Sequence, residues 1–241
     1  VLFRSARELG CPATIYVPVT TLPSKRAAIE ALGARVVPFA SDCVETEQRA
    51  RADADASGRP YVSPYNDLRV AAGQGTLAEE ILRQWPEVEV VYVAVGGGGL
   101  ISGMAGYGKR VQPQVEWVGC SPAQSPAMEE CVRRGGIVDV PCGETWSDST
   151  HGGVEQGAVT FAWCRDLVDR WLRCDESAIE RAMRDALDYQ KLLIEGAAGV
   201  ALACCALDAQ LRGRRACVLI CGGNLPWDKL HRLVAGTTAS R

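Results

Sequence analysis

VYVAVGGGGLISG, residues 91–103, decides how this chain folds. VVYVAV (90–95) is rich in β-branched residues and uncharged, which reads as a buried strand of a parallel sheet. ISGMAGYGK (101–109) is a small-residue, helix-like stretch. Gly96, Gly97, Gly98 and Gly99 therefore lie where a strand feeds a helix. Lacking side chains, they let consecutive backbone N–H groups turn towards one point at the positive end of the helix dipole. A tight turn alone needs one or two glycines. Four in a row fit a bound phosphate.

The dinucleotide fingerprint G-x-G-x-x-G/A does not identify that phosphate. Counted from Gly97 it gives Gly97, Gly99 and then Ser102, and the next strand, VEWVGCS (115–121), ends without an acid to hold a ribose. No Gly-Lys-Ser/Thr follows, so the Walker pattern fails as well. A cofactor phosphate other than that of NAD or ATP is to be considered, and the rest of the chain has to choose.

Composition narrows the partners. The 241 residues are 47% hydrophobic, enough for a sizeable core in one or two domains. A net charge of −3 without long charge runs predicts no nucleic-acid partner, and no apolar run approaches membrane-spanning length, which predicts no membrane partner. Eleven cysteines are scattered without a C-x-x-C pair, and His151 and His231 are the only histidines. No metal site is expected, and the thiols read as small buried groups of a cytoplasmic protein. The chain opens without Met, and its first helical stretch already ends near residue 10. Both features lead us to expect an N-terminally truncated reading frame.

Strands alternate with helices along the chain. PATIYVP (12–18) and RVVPF (35–39) read as strands, and 23–34 and 45–58 as helices closed by Gly33 and Gly58. The pattern restarts near residue 68 with the helix QGTLAEEILRQW, the strand VEVVYVAV, and the glycine loop with its helix. VEWVGCS follows as a strand, 135–158 as an irregular segment, and TFAWCRDLVDRW (160–171), 176–190 and 195–210 as helices. The expected architecture is α/β, with two parallel-sheet domains at 1–67 and 68–241. Finally, CVLICGGN (217–224) reads as a buried strand that delivers Cys221 into a Gly-Gly-Asn turn. The carboxyl ends of parallel strands border the crevice where ligands of open α/β sheets bind, so Cys221 and the glycine loop are expected to face one cavity.

Five segments together resemble the threonine/serine dehydratase branch of the pyridoxal-phosphate (PLP) enzymes of fold type II, the tryptophan synthase β-like fold. They are PYNDLRVAAGQGTLAEEI (64–81), VAVGGGGLISG (93–103), DSTHGGVEQGAVTF (148–161), IEGAAGVALA (194–203) and CGGN (221–224). The resemblance implies that the amides of Gly96, Gly97, Gly98, Gly99 and Leu100 hold the PLP phosphate. It places Cys221 at the pyridine nitrogen, where a neutral thiol does not demand a protonated ring and suits β-elimination over transamination. Glu195 falls beside the cofactor, although a carboxylate stabilised by its helix N-terminus explains it equally well.

Two departures stand out. The family's Schiff-base lysine lies in Ser-Phe-Lys-x-Arg-Gly, and its substrate loop contains Ser-x-Gly-Asn-His; neither motif is in this chain. Lys25, Lys109, Lys191 and Lys229 occur in unrelated contexts, so no catalytic residue is assigned and the chain is expected to be inactive alone, both domains lacking N-terminal residues. Metal-binding relatives carry acids where this chain reads CSPAQSPA (120–127), so again no metal is expected. The resemblance implies an ammonia-lyase that turns a small β-hydroxy amino acid into a 2-oxo acid and ammonia, working as a homodimer or homotetramer. The chain ends soon after CGGN, as expected of a short, catabolic-like form. The alternatives are a β-replacement enzyme of the cysteine synthase kind, whose phosphate loop usually carries threonines that GGGGL lacks, and a catalytically dead binding subunit.

Overall fold

The computed structural model describes residues 2–235. The chain divides into two compact units, one ending at Ser63 and the other beginning at Pro64. In the first, α1 (Leu2–Glu8), β1 (Thr14–Val17), α2 (Pro23–Glu30), β2 (Arg35–Pro38) and α3 (Cys43–Ser57) form a βα layer around two parallel strands, with Thr14 opposite Arg35. Asp42 caps α3 by accepting from the amides of Val44 (2.7 Å) and Glu45 (3.2 Å). Gly58, at φ 64°, ends that helix in the left-handed conformation.

The second unit runs α4 (Leu68–Gln84), β3 (Val90–Ala94), α5 (Gly99–Val111), β4 (Glu116–Pro122), α6 (Ala127–Arg134), α7 (Val159–Leu167), β5 (Arg170–Cys174), α8 (Glu176–Gln190), α9 (Gly196–Leu207), β6 (Ala216–Val218) and α10 (Trp227–Ala235). Its four strands are all parallel, in the order β5-β4-β3-β6. Strand β3 is buried throughout, as its unbroken apolar run requires. Val90, Tyr92 and Ala94 pack with α8 and α9 on one face. Val91 and Val93 pack with α4, α5 and α6 on the other. Helices α4 and α5 touch backbone to backbone, since a Cβ on Gly103 would run into the Ala71 carbonyl. Among the described residues, no helix is long and apolar enough to cross a membrane.

Three details differ from the sequence reading. The boundary lies at 63/64 and not at 67/68, because Tyr65 and Asn66 pack into the second unit, on the glycine loop and on the 155–159 segment. The expected helix 160–171 stops at Leu167 and strand β5 follows, with Asp169 anchored by Trp117: its amide donates to the Trp117 carbonyl, and its carboxylate accepts from the Trp117 amide at 2.7 Å. Pairing with β4 overrides the local helical pattern there. Strand β6 is shorter than expected and only half-buried, because it is a sheet edge that pairs with β3 alone.

Candidate active site

The carboxyl ends of β4, β3 and β6 lie side by side. Val90 pairs with Ala216 and Tyr92 with Val218, and the Leu219 amide continues the ladder to the Tyr92 carbonyl at 3.0 Å. Strand β6 ends at Val218, and Cys221 follows three residues later, past the last bond of the ladder. On the other side, the Val95 amide donates to the Cys120 carbonyl at 2.9 Å, which fixes where the loop leaves the sheet.

The loop is shaped by the protein around it. A Cβ on Gly97 would enter the Tyr65 ring, and one on Gly99 would lie 2.9 Å from the Tyr65 Cα. On Gly96 it would sit 3.0 Å from the Thr150 Cα, and on Gly98 it would sit 2.7 Å from the Cys164 Sγ. Gly98 also has φ 83° and forms the N-cap of α5, a conformation that strains any other residue. The glycines are thus required twice over, for close packing and for the turn. Thr160 Oγ1 donates to the Gly97 carbonyl at 2.7 Å and turns that peptide so that its oxygen faces the core. Among the described residues, nothing accepts a hydrogen bond from the amides of Gly96, Gly97, Gly98, Gly99 or Leu100. Unpaired donors at the positive end of a 13-residue helix are groups that an anion can satisfy.

Cys221 is an exposed residue. The protein packed behind it desolvates the thiol, and the Glu195 charge adds to this, pushing its pKa up to about 11. It is therefore a neutral group at physiological pH. Glu195 precedes α9, but its side chain does not cap that helix. Instead Oε1 accepts from Ser149 Oγ at 2.9 Å and Oε2 accepts from the Asn224 amide at 3.1 Å. The carboxylate so joins the 148–152 segment to the CGGN turn while standing at the amino end of α9. The segment itself is held by a hydroxyl pair, Ser147 and Thr150 at 2.6 Å, and by the Gly152 amide on Ser125 Oγ at 3.2 Å.

Three lysines of this unit are each bonded, and one of them, Lys229, is held by the segment that borders the candidate site. Lys109 binds Asp169 at 2.7 Å, Lys191 binds the Asp188 carbonyl at 2.6 Å, and Lys229 binds Asp148 at 2.6 Å. Sequence reading missed Tyr65, Thr160 and Ser149. Their motifs were visible, but the partner of each lies dozens of residues away.

A family profile described as pyridoxal-phosphate dependent enzyme matches residues 2–222. An L-threonine ammonia-lyase of Geobacter sulfurreducens is 36% identical over 92% of this chain and 55% of its own length. One of Thermotoga maritima is 33% identical over 95% of this chain and 57% of its own length. Among solved structures, the processed form of threonine deaminase isoform 2 from Solanum lycopersicum superposes with a TM-score of 0.87 at 28% identity, covering 97% of this chain and 65% of that one. This chain spans about half the length of the curated relatives it matches.

Proposed function

The chain belongs to the pyridoxal-phosphate dependent enzymes, in the fold type II branch of the threonine and serine dehydratases, and from that premise we propose that the whole protein is an ammonia-lyase. Its substrate is L-threonine, L-serine or a related β-hydroxy amino acid, and its products are a 2-oxo acid and ammonia. One observation carries this reading. Five amides without acceptors lie where β3 feeds α5, and a neutral thiol follows the neighbouring strand β6 by three residues.

The residues present fit the cofactor. The amides of Gly96, Gly97, Gly98, Gly99 and Leu100 would hold its phosphate, with the α5 dipole adding to the attraction. Bound there, pyridoxal phosphate supplies the electron sink that acidifies the substrate Cα–H. Cys221 would meet the ring nitrogen as a neutral hydrogen-bonding group. A carboxylate in that place would favour a protonated ring and a deeper sink. The thiol tempers the sink, which supports elimination rather than amino transfer. Tyr65 and Thr150 pack against the loop glycines and leave them no room for side chains.

The amine that binds the cofactor lies outside this chain in this reading, since none of the four lysines occurs in the family's motif. Eleven free cysteines support a reducing, cytoplasmic setting, and the family resemblance supports a homodimer or homotetramer. The test is twofold. The 241-residue chain, titrated with PLP and treated with borohydride, is expected to bind the cofactor without labelling a specific lysine. The full-length protein is expected to release 2-oxo acid from threonine or serine. Turnover of O-acetylserine with sulfide in place of that release would move the assignment to β-replacement.

A further inference from the structure

A continuous line of contacts runs across the site from the glycine loop to Cys221. Gly96 lies against Thr150, such that a Cβ there would be 3.0 Å from the Thr150 Cα. The neighbouring Ser149 donates to Glu195 Oε1, and Oε2 receives the Asn224 amide. Glu195 also returns a backbone bond, its amide donating to the Gly222 carbonyl at 3.0 Å. Gly222 has no room for a side chain, because a Cβ would lie 2.7 Å from the Glu195 carboxylate carbon. The carboxylate therefore fills the space between the 148–152 segment and the turn that carries Cys221.

We propose that Glu195 is a positioning residue that does not itself touch the cofactor: its two oxygens tether the 148–152 segment to the 221–224 turn, and so fix Cys221 relative to the amide cradle. This rests on the reading of that sheet end as the cofactor site. The tether explains why a carboxylate precedes α9 without capping it, and why residue 222 is a glycine; Gly223 lies instead against the Leu193 carbonyl. It also places a fixed negative charge beside Cys221. The loop and α10 bring one further opposite pair to this region, Asp148 and Lys229, bound to each other at 2.6 Å.

Two variants separate the tether from the charge. Glu195→Gln keeps the shape and can bond both Ser149 and the Asn224 amide, but it has no charge. Glu195→Ala removes both. On the 241-residue chain, iodoacetamide labelling of Cys221 at pH 8.5 is read by peptide mass spectrometry, and hydrogen exchange is read over 148–152. Because reaction rate follows the thiolate fraction, both variants should label about threefold faster or more. Exchange over 148–152 should rise about tenfold in Glu195→Ala and stay near the parent in Glu195→Gln. Labelling of Glu195→Gln at the parent's rate overturns the fixed negative charge beside Cys221. Unchanged exchange in Glu195→Ala overturns the tether. If Glu195→Ala fails to fold, Gly222→Ala, which displaces the carboxylate from the other side, must raise the same exchange for the proposal to stand. Titration with PLP runs alongside. If the parent chain binds none while the labelling and exchange results hold, the cofactor reading fails and the tether survives.

Discussion

The two ends of the four-stranded sheet are built on opposite principles. At the amino ends of the strands the groups are charged and mutually satisfied. Arg170, opening β5, binds both Glu116, which opens β4, and Asp208, the latter at 2.7 Å. Arg214, just before β6, closes on the other side of Glu116. Tyr92 reaches down from β3 to donate to Asp208 at 2.6 Å, and that carboxylate is only 3% exposed. At the carboxyl ends Glu195 and the Asp148–Lys229 pair are bonded as well, but the glycine-loop amides have no acceptor and Cys221 is a neutral thiol. One end has its polar groups paired by the fold itself, and the other leaves donors for a ligand to complete. Stability and binding are thereby assigned to different ends of the same strands, and substitutions should separate them.

The largest effect is expected at the ionic end. Asp208→Ala leaves Arg170 with Glu116 alone and strands the Tyr92 hydroxyl in the core. Removing one partner of such a buried pair costs about 3 kcal/mol, a large share of a net stability of about 5–15 kcal/mol. Thermal unfolding should show a marked fall in Tm, while PLP affinity of the folded chain stays unchanged. A loss of affinity equal to the loss of stability would join the two ends again.

Gly97→Ala should do the reverse. The added Cβ must displace the Tyr65 ring or the loop, and the five amides lose their common aim. We expect PLP affinity to fall about 100-fold or more, equivalent to about 2.8 kcal/mol, with a smaller loss of stability of about 1–3 kcal/mol from overpacking. Fluorescence titration set beside thermal unfolding measures both.

These two substitutions also show what the sequence could disclose. The glycine loop is legible because its signal is local: an apolar run, four glycines and a helix-like stretch in 13 consecutive residues. The ionic clamp is not, because Glu116, Arg170, Asp208 and Arg214 are scattered over nearly a hundred positions and meet only through parallel pairing. Strand β5 escapes for a related reason. RWLRC continues a helical pattern until Asp169 is fixed to Trp117. Glu195 stands out as a residue, but its function as a tether depends on Ser149 and Asn224, which no local spacing connects.

Acid should separate the two ends more gently. Arg170, with burial opposing it, holds the Asp208 carboxyl down at about 2, against an ordinary value of 3.8. A depressed carboxylate contributes stability that is present above its unfolded value and lost as pH falls through its folded one. Unfolding free energy from this group should therefore be level above pH 5 and decline between about 4 and 2. Binding has a different edge, since a phosphate monoester loses its second charge near pH 6. Between pH 7 and 5, PLP affinity should fall while urea unfolding midpoints hold steady, as far as Asp208 governs them. Coincident declines would show that one ionisation governs both ends.

The smallest effect belongs to Cys221, at the carboxyl end. Its thiol ordinarily ionises at 9.0, and in the folded chain, chiefly through desolvation, at about 11. The folded state thus keeps its proton longer than the unfolded one, so this group stabilises below pH 9 and loses that contribution as pH rises through 9 to 11. Buried Cys164 and Cys204, both also shifted upwards, add to the same alkaline edge, so only the difference between variant and parent isolates Cys221. Cys221→Ser removes the titrating group and keeps a small, neutral hydrogen-bonding side chain. At pH 7 we expect stability within about 0.5 kcal/mol of the parent and PLP affinity within about threefold, about 0.65 kcal/mol. Between pH 9 and 11 the variant should lose stability less steeply. Equal alkaline slopes in the two proteins would mean that the thiol ionises no differently in the folded chain than in the unfolded one. The picture of a desolvated, neutral group beside the glycine cradle would then fall, and with it the contrast between the two ends.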